Sequence, residues 1–314
     1  MKYQIFKNEI MKKTKEFFGE QIKISLREVT KNNGIVLTGL TMSQKDINIS
    51  PTIYLDSFYQ DYCQGRSMDE IVKEIALTYS QSKMEEDFNM DFFTNYDKAK
   101  RNIVYKLVNY EKNRALLQDV PHRRFLDLAI VFYYIVEKEA FTRATILIQN
   151  SHLEMWKVSV DEIYGVASVN TPGRLKFTVS GMLEVLSELE EADTFHDKRC
   201  YEQECESLDD YMTKRVCKDD TDMYVLSNTD RLNGAVSILY GGVLEAFAKR
   251  MERNFFILPS SVHEVILIPD EKHVDKKLLE AMVRDVNMTQ LDPEEYLSDT
   301  VYYYSIERKR VECL

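Results

Sequence analysis

The chain holds one short stretch in which three reactive side-chain types fall almost together. Ser260, Ser261, His263 and Glu264 follow Pro259 in "LPSSVHEV". A serine beside a histidine suggests a nucleophile with its base, and a His-Glu pair suggests a metal-assisted hydrolase. The spacing fits neither well. A zincin helix needs a second histidine four residues after the first, so that both imidazoles share one face, and position 267 is Leu267. A serine nucleophile on an elbow needs flanking glycines that are missing here. "VHEVILI" is short and β-branched, so it reads as a strand, and strand neighbours His263 and Glu264 point to opposite faces. Pro259-Ser260-Ser261 then reads as a turn whose hydroxyls bond nearby backbone. Ser260, Ser261, His263 and Glu264 remain the candidate catalytic residues.

A second constellation offers metal chemistry. His196, Cys200, Cys205 and Cys217 supply four ligands within one segment, the number a tetrahedral zinc site needs. Only Cys200 and Cys205 approach the tight thiolate pair that one knuckle requires, and the surroundings are acidic. Asp219, Asp220 and Asp222 lack the glycine and distal glutamate of a calcium loop. No phosphate-binding glycine motif occurs. Gly241-Gly242, ahead of "VLEAFAKR", reads as a strand-to-helix turn. Arg123 and Arg124 in "PHRRF" are expected to pair with local carboxylates, and Trp156, the one tryptophan, to sit in a core. No cofactor is expected.

The elements that position these residues come in a mixed order. Tyr3–Phe18 has apolar residues near helical spacing. Asn33-Gly34 divides two alternating runs into a hairpin, and "NISPTIYL" supplies a third strand. "DSFYQDYCQGRSMDEIVKEIALTYSQ" is helix, break, helix. Gly65 closes the first helix, and Ser67 with Glu70 opens the second as a capping box. "RRFLDLAIVFYYIV" and "TRATILIQN" are buried strands. Ser159 and Glu162 cap a helix that Pro172-Gly173 should stop. "DMYVLSNT" and "GAVSIL" look like the arms of a hairpin turning at Asn233-Gly234. A helix at Val243–Met251, strands at "NFFIL" and "VHEVILI", a helix at "DKKLLEAMVRDVN", a turn of helix after Asp292-Pro293 and a strand at "TVYYYSIE" complete the chain. Hairpins mixed with helices and no regular βαβ alternation predict an α+β fold of antiparallel sheets with packed helices.

Between 184 and 222 fourteen Asp or Glu face five Lys or Arg. This stretch is expected to be a solvated connector (184–222) between an N-terminal lobe (1–183) and a C-terminal lobe (223–314).

Several segments carry a resemblance: "KNNGIVLTGL", "VNYEKNRALLQDVPHRRFLDLAIVFY", "TILIQNSHLEMW", "SNTDRLNGAVSILY", "FFILPSSVHEVILIP" and "VNMTQLDPEEYLSDTVYYY". Over nearly its whole length the chain resembles a family of uncharacterised proteins, a domain of unknown function common in anaerobic gut Firmicutes. The resemblance implies a bacterial, intracellular protein and no particular activity.

Bulk properties narrow the class. The 314 residues carry a net charge of −11, without the basic footprint of a nucleic-acid binder. The longest apolar run, Leu128–Val136, is about half of the roughly 20 residues that a spanning helix needs. Five scattered cysteines make no disulfide framework. A cytoplasmic, non-enzymatic factor that binds a protein partner, without nucleic acid or membrane, is therefore expected. The competing expectation is an unfamiliar hydrolase using the Ser260–Glu264 turn.

Overall fold

The computed structural model describes residues 1–44, 50–82, 91–136, 145–192, 207–216, 223–271 and 275–313. The fold is α+β, and every strand pairing among the described residues is antiparallel. The described residues form two compact units, 1–95 and 96–313.

In the first unit, helix α1 (Tyr3–Phe18) buries Phe6, Ile10 and Thr14, one residue per turn. The buried Thr14 hydroxyl donates to the Ile10 carbonyl. Strands β1 (Ile22–Thr30) and β2 (Val36–Gln44) pair from Ile22↔Gln44 to Thr30↔Val36. Asn33 (φ 60°) and Gly34 (φ 71°) make the turn, both left-handed as a tight hairpin requires. Strand β3 (Thr52–Tyr54) extends the sheet. Helix α2 (Asp56–Cys63) ends before Gly65 (φ 103°). Helix α3 (Met68–Ser82) opens on the capping box: Glu70 N–H donates to Ser67 Oγ, and Ser67 N–H donates to Glu70 Oε2. Phe6 and Ile10 meet Leu40, Met42, Leu55 and Ile71 in one core. The short helix α4 (Asp91–Thr94) follows.

The second unit begins with helix α5 (Tyr96–Ala99) and strand β4 (Ile103–Asn109). The apolar run from Arg123 is two strands. Strand β5 (His122–Phe125) turns at Leu126-Asp127 into β6 (Leu128–Ile135), which pairs with β4, with β5 and with β7 (Thr145–Leu147). Leu126 takes φ 55° to make that turn. Helix α6 (Asn150–Trp156) leads to α7 (Val160–Arg174), whose first turn is held by Ser159 Oγ accepting from Glu162 N–H. Pro172 does not stop α7, which continues to Arg174. A proline near a helix end forfeits a single hydrogen bond, and here Thr171 Oγ1 adds a bond to the Ala167 carbonyl one turn back.

A six-stranded sheet forms the rest. Its strands are β8 (Phe177–Gly181), β9 (Tyr224–Asn228), β10 (Phe255–Leu258), β11 (Val265–Pro269), β12 (Tyr302–Ser305) and β13 (Arg310–Cys313), in the order β13-β12-β10-β11-β9-β8. Helices α8 (Met182–Ala192) and α9 (Leu208–Arg215) lie between β8 and β9 in the chain. Helix α10 (Val243–Met251) precedes β10, and α11 (Lys276–Thr289) follows β11. Because β8 pairs with β9, residues on both sides of the acidic stretch share one sheet.

Two local expectations are corrected. "GAVSIL" is a 3-10 helix, Gly234–Leu239, and not a strand. Gly234 through Ile238 are all buried, so no alternation of faces exists to be read. After Asp292-Pro293 the chain makes one hydrogen-bonded turn, with Glu295 N–H on the Asp292 carbonyl, and then extends.

Candidate functional site

The Ser260–Glu264 turn joins β10 to β11, where Leu258 is paired with Ile266. Ser261 is 2% exposed. Its hydroxyl donates to Glu264 Oε1 at 2.8 Å and accepts the His263 N–H at 2.9 Å. Its own N–H reaches the Glu264 carbonyl. Ser261 thus has its hydroxyl and its N–H satisfied within the turn, as in serine-rich turns. Ser260, half-buried, precedes it in the same loop.

The His263 ring looks the other way. Nδ1 accepts the backbone N–H of Asn233 at 3.1 Å, so in the neutral ring the proton sits on Nε2. Nε2 lies 3.3 Å from Glu295 Oε1. Neither ring nitrogen is bonded to Ser261, whose proton points to Glu264. Nucleophilic catalysis requires the nucleophile and base to share a hydrogen bond, and this turn directs them to different partners.

The same residues splice three distant segments. Ser227 Oγ donates to the His263 carbonyl at 2.7 Å, Ala235 N–H to the Val262 carbonyl, and Val262 N–H to the Glu295 carbonyl. Gly234 sits at the centre. A Cβ there would fall on Ser227 Oγ, 2.5 Å from the His263 oxygen and 2.7 Å from the Asn228 nitrogen. Asn228, fully buried, shapes the neighbouring loop: Oδ1 accepts from Asp230 and Leu232 N–H, and Nδ2 donates to the Leu232 carbonyl. Tyr133 borders this knot. Burial pushes its phenol up to about 12, Asp230 adds to that rise, and a hydrogen bond with the Asn233 side chain opposes it.

Sequence reading did not single out Asn228, Asn233 or Glu295 as partners of this turn. The available signal was Asn233-Gly234, which serves as a close-approach point and not as a hairpin turn. A second polar cluster went equally unread. Asp127, at the β5–β6 turn, accepts Tyr302 OH on Oδ1 at 2.6 Å, and Ser298 and Thr300 hydroxyls on Oδ2 at 2.6 and 3.2 Å. Burial first, and then the Asp127 carboxylate, push the Tyr302 phenol far above its ordinary value. The phenol stays protonated and donates. One aspartate in a turn carries no mark of partners more than 170 residues away.

Candidate metal ligands His196, Cys200, Cys205 and Cys217 lie outside the described residues. Among the described residues, no group of three His, Cys, Asp or Glu is arranged to hold an ion. Arg123 stacks over the Tyr164 ring at 4.1 Å and lies 3.9 Å from Asp161, and Arg124 stacks over Tyr110 at 4.2 Å. Trp156 is buried against Tyr96 and His152. Gly242, at φ 81°, makes the turn into α10.

Helix α11 carries an organised row of exposed apolar side chains. Asp275 caps the helix, its Oδ1 accepting from Lys277 N–H at 2.9 Å. Leu279 and Val283 bury themselves on Phe256, Leu258, Ile268 and Val301. The adjacent row, Leu278, Met282 and Val286, is four residues apart at each step and 59%, 39% and 41% exposed. An i, i+4, i+8 row is one continuous ridge. No helix among the described residues is long and apolar enough to cross a membrane.

Residues 3–306 match a family of unknown function, DUF5688, and the chain belongs to it. No curated protein and no solved structure matches the chain.

Proposed function

We propose that this member of the DUF5688 family is a non-enzymatic cytoplasmic protein that works by binding another protein. The observation that carries the reading is the α11 ridge. Leu278, Met282 and Val286 stand in water on a helix whose other apolar row already fills its place on the sheet. Exposed apolar side chains scattered singly mean little, whereas an aligned row is a common form of recognition surface. The engagement of Ser261 by Glu264, and of His263 by Asn233 and Glu295, supports the same reading over the hydrolase alternative.

The test is affinity capture from host lysate, using the full chain and a variant carrying Leu278→Lys, Met282→Lys and Val286→Lys. All three positions are exposed, so the variant should retain its circular dichroism. A protein retained in stoichiometric amount by the parent and lost by the variant is the expected result. Equal capture by both, or turnover of an ester or amide substrate that Ser261→Ala abolishes, would overturn the reading.

A further inference from the structure

We propose that Asn33 is a site of self-modification, losing its side-chain amide by attack of the Gly34 backbone nitrogen, and that Asn233-Gly234 is held out of the same reaction by the knot around it.

Asn-Gly occurs twice in the chain. Glycine has no Cβ, so its nitrogen can approach the preceding Asn Cγ and the peptide between them can turn. The two copies start from nearly one backbone conformation. Asn33 has φ 60° and ψ 23°, and Asn233 has φ 54° and ψ 28°. At these ψ values the glycine nitrogen lies away from Cγ. In both copies the joining peptide must therefore rotate before a ring can close. Dipeptide and starting geometry are shared, and what opposes the rotation differs.

Asn33-Gly34 stands at the tip of the β1–β2 hairpin, where Asn33 is half-buried and Gly34 exposed. The backbone bond that spans the pair, from Ile35 N–H to the Asn32 carbonyl, is 3.3 Å long, beyond the usual value of about 2.9–3.0 Å. Turning this peptide moves it into water, and exposed tips open at small cost. Asn233-Gly234 is tied on both sides. Asn233 N–H donates to His263 Nδ1 at 3.1 Å, and Ala235 N–H donates to the Val262 carbonyl at 3.2 Å. Gly234 is buried, and its Cβ position lies 2.5 Å from the His263 oxygen and 2.7 Å from the Asn228 nitrogen. That peptide has no room to turn until the knot opens.

The reaction balances with water alone. The Gly34 nitrogen gives its proton to solvent and bonds to Asn33 Cγ. The Cγ–Nδ2 bond breaks and ammonia leaves, giving a five-membered imide. Water then opens either carbonyl of the imide. Opening at Cγ gives aspartate. Opening at the main-chain carbonyl gives isoaspartate, in which the chain runs through Cβ and Cγ. Both products carry a new negative charge. Aspartate tolerates the left-handed conformation of position 33. Isoaspartate adds one carbon to the main chain of the loop. Hairpin register follows loop length, so this product strains the pairing that ends at Thr30↔Val36.

The test is to age the full chain in mildly alkaline buffer, with and without urea, and to map Asn, Asp and isoaspartate at both positions by chromatography and mass spectrometry. In buffer Asn33 should convert at least about tenfold faster than Asn233, a ratio that a knot-opening cost of only about 1.4 kcal/mol supplies. In urea the two rates should converge. Asn33 that keeps its amide in buffer and loses it in urea would overturn the proposal, as would equal rates in buffer or rates that stay apart in urea. Gly34→Ala should slow loss at Asn33 and leave Asn233 unchanged, and an undiminished rate there would show that the attack does not pass through the Gly34 nitrogen. Alanine is strained at φ 71°; the urea comparison uses the parent chain and decides the matter even if that variant folds poorly.

Discussion

Gly234→Ala should be among the costliest single-methyl additions this chain can receive. The added Cβ would overlap Ser227 Oγ and lie 2.5 Å from the His263 carbonyl oxygen and 2.7 Å from the Asn228 nitrogen. Two of these three atoms are backbone, so no rotamer change relieves the clash. Overpacking of this kind costs about 1–3 kcal/mol. Displacing Ser227 also breaks its bond to the His263 carbonyl, about 1 kcal/mol, and leaves a buried acceptor unpaired, about 1–3 kcal/mol more. The expected loss is about 3–7 kcal/mol, a large part of a typical folding free energy of about 5–15 kcal/mol. Urea denaturation followed by fluorescence is the assay. Trp156, the only tryptophan, lies in the same compact unit as Gly234. Gly165→Ala is the control. Gly165 is inside α7, and a methyl group added there would meet nothing within 4 Å, so the change should stabilise by about 0.5–1 kcal/mol. If Gly234→Ala falls within about 0.5 kcal/mol of the parent, smaller than any of the costs just named, the knot is looser than its distances say and the reasoning fails.

Asp127→Ala removes the acceptor of three hydroxyls at once, and thermal unfolding should show a loss of about 3–5 kcal/mol. Tyr302→Phe keeps the ring and should cost less than half of that. The buried phenols Tyr105, Tyr133, Tyr240 and Tyr302 are all raised above 10, burial being the first cause in each. A raised folded value means that their contribution is complete below about pH 10 and drains away as pH climbs through the folded values. Alkaline titration followed by tyrosinate absorbance should therefore show delayed, cooperative ionisation coincident with unfolding; independent ionisation near the ordinary phenol value would contradict it. Ser159→Ala removes the cap of α7, where Ser159 Oγ holds Glu162 N–H at 3.1 Å. It should cost about 1 kcal/mol, with Ser159→Asp close to neutral in the same denaturation assay.

Local signals were legible where one residue decides one backbone feature. Asn33-Gly34 marks its hairpin because few other pairs adopt two left-handed conformations cheaply. Ser67 with Glu70, and Ser159 with the backbone of Glu162, mark helix starts because the bonds span three residues. Signals failed where burial erased periodicity, as in Gly234–Leu239, and where tertiary contact outweighed local preference, as at Pro172. The candidate site was legible as a group of reactive side chains. Its meaning was not, because His263 is defined by Asn233 and Glu295, about thirty residues away on either side. Asp127 shows the same limit more strongly. Hydrogen bonds to partners far along the chain leave no spacing pattern behind.

The pairing of Gly181 with Tyr224 has an evolutionary consequence. The chain leaves the six-stranded sheet at one residue and returns at the register position beside it. The two ends of the intervening stretch are therefore held a single inter-strand gap of about 5 Å apart. For an unstructured insertion in this stretch, each doubling of the inserted length costs only about 0.6 kcal/mol of closure entropy. The sheet therefore tolerates growth and shrinkage at this seam far better than within the β10–β11 turn, where Ser261, Val262 and His263 are already bonded in place. Members of the family are expected to diverge in length between these two residues, making this excursion the place where lineages can add a module without relearning how to fold.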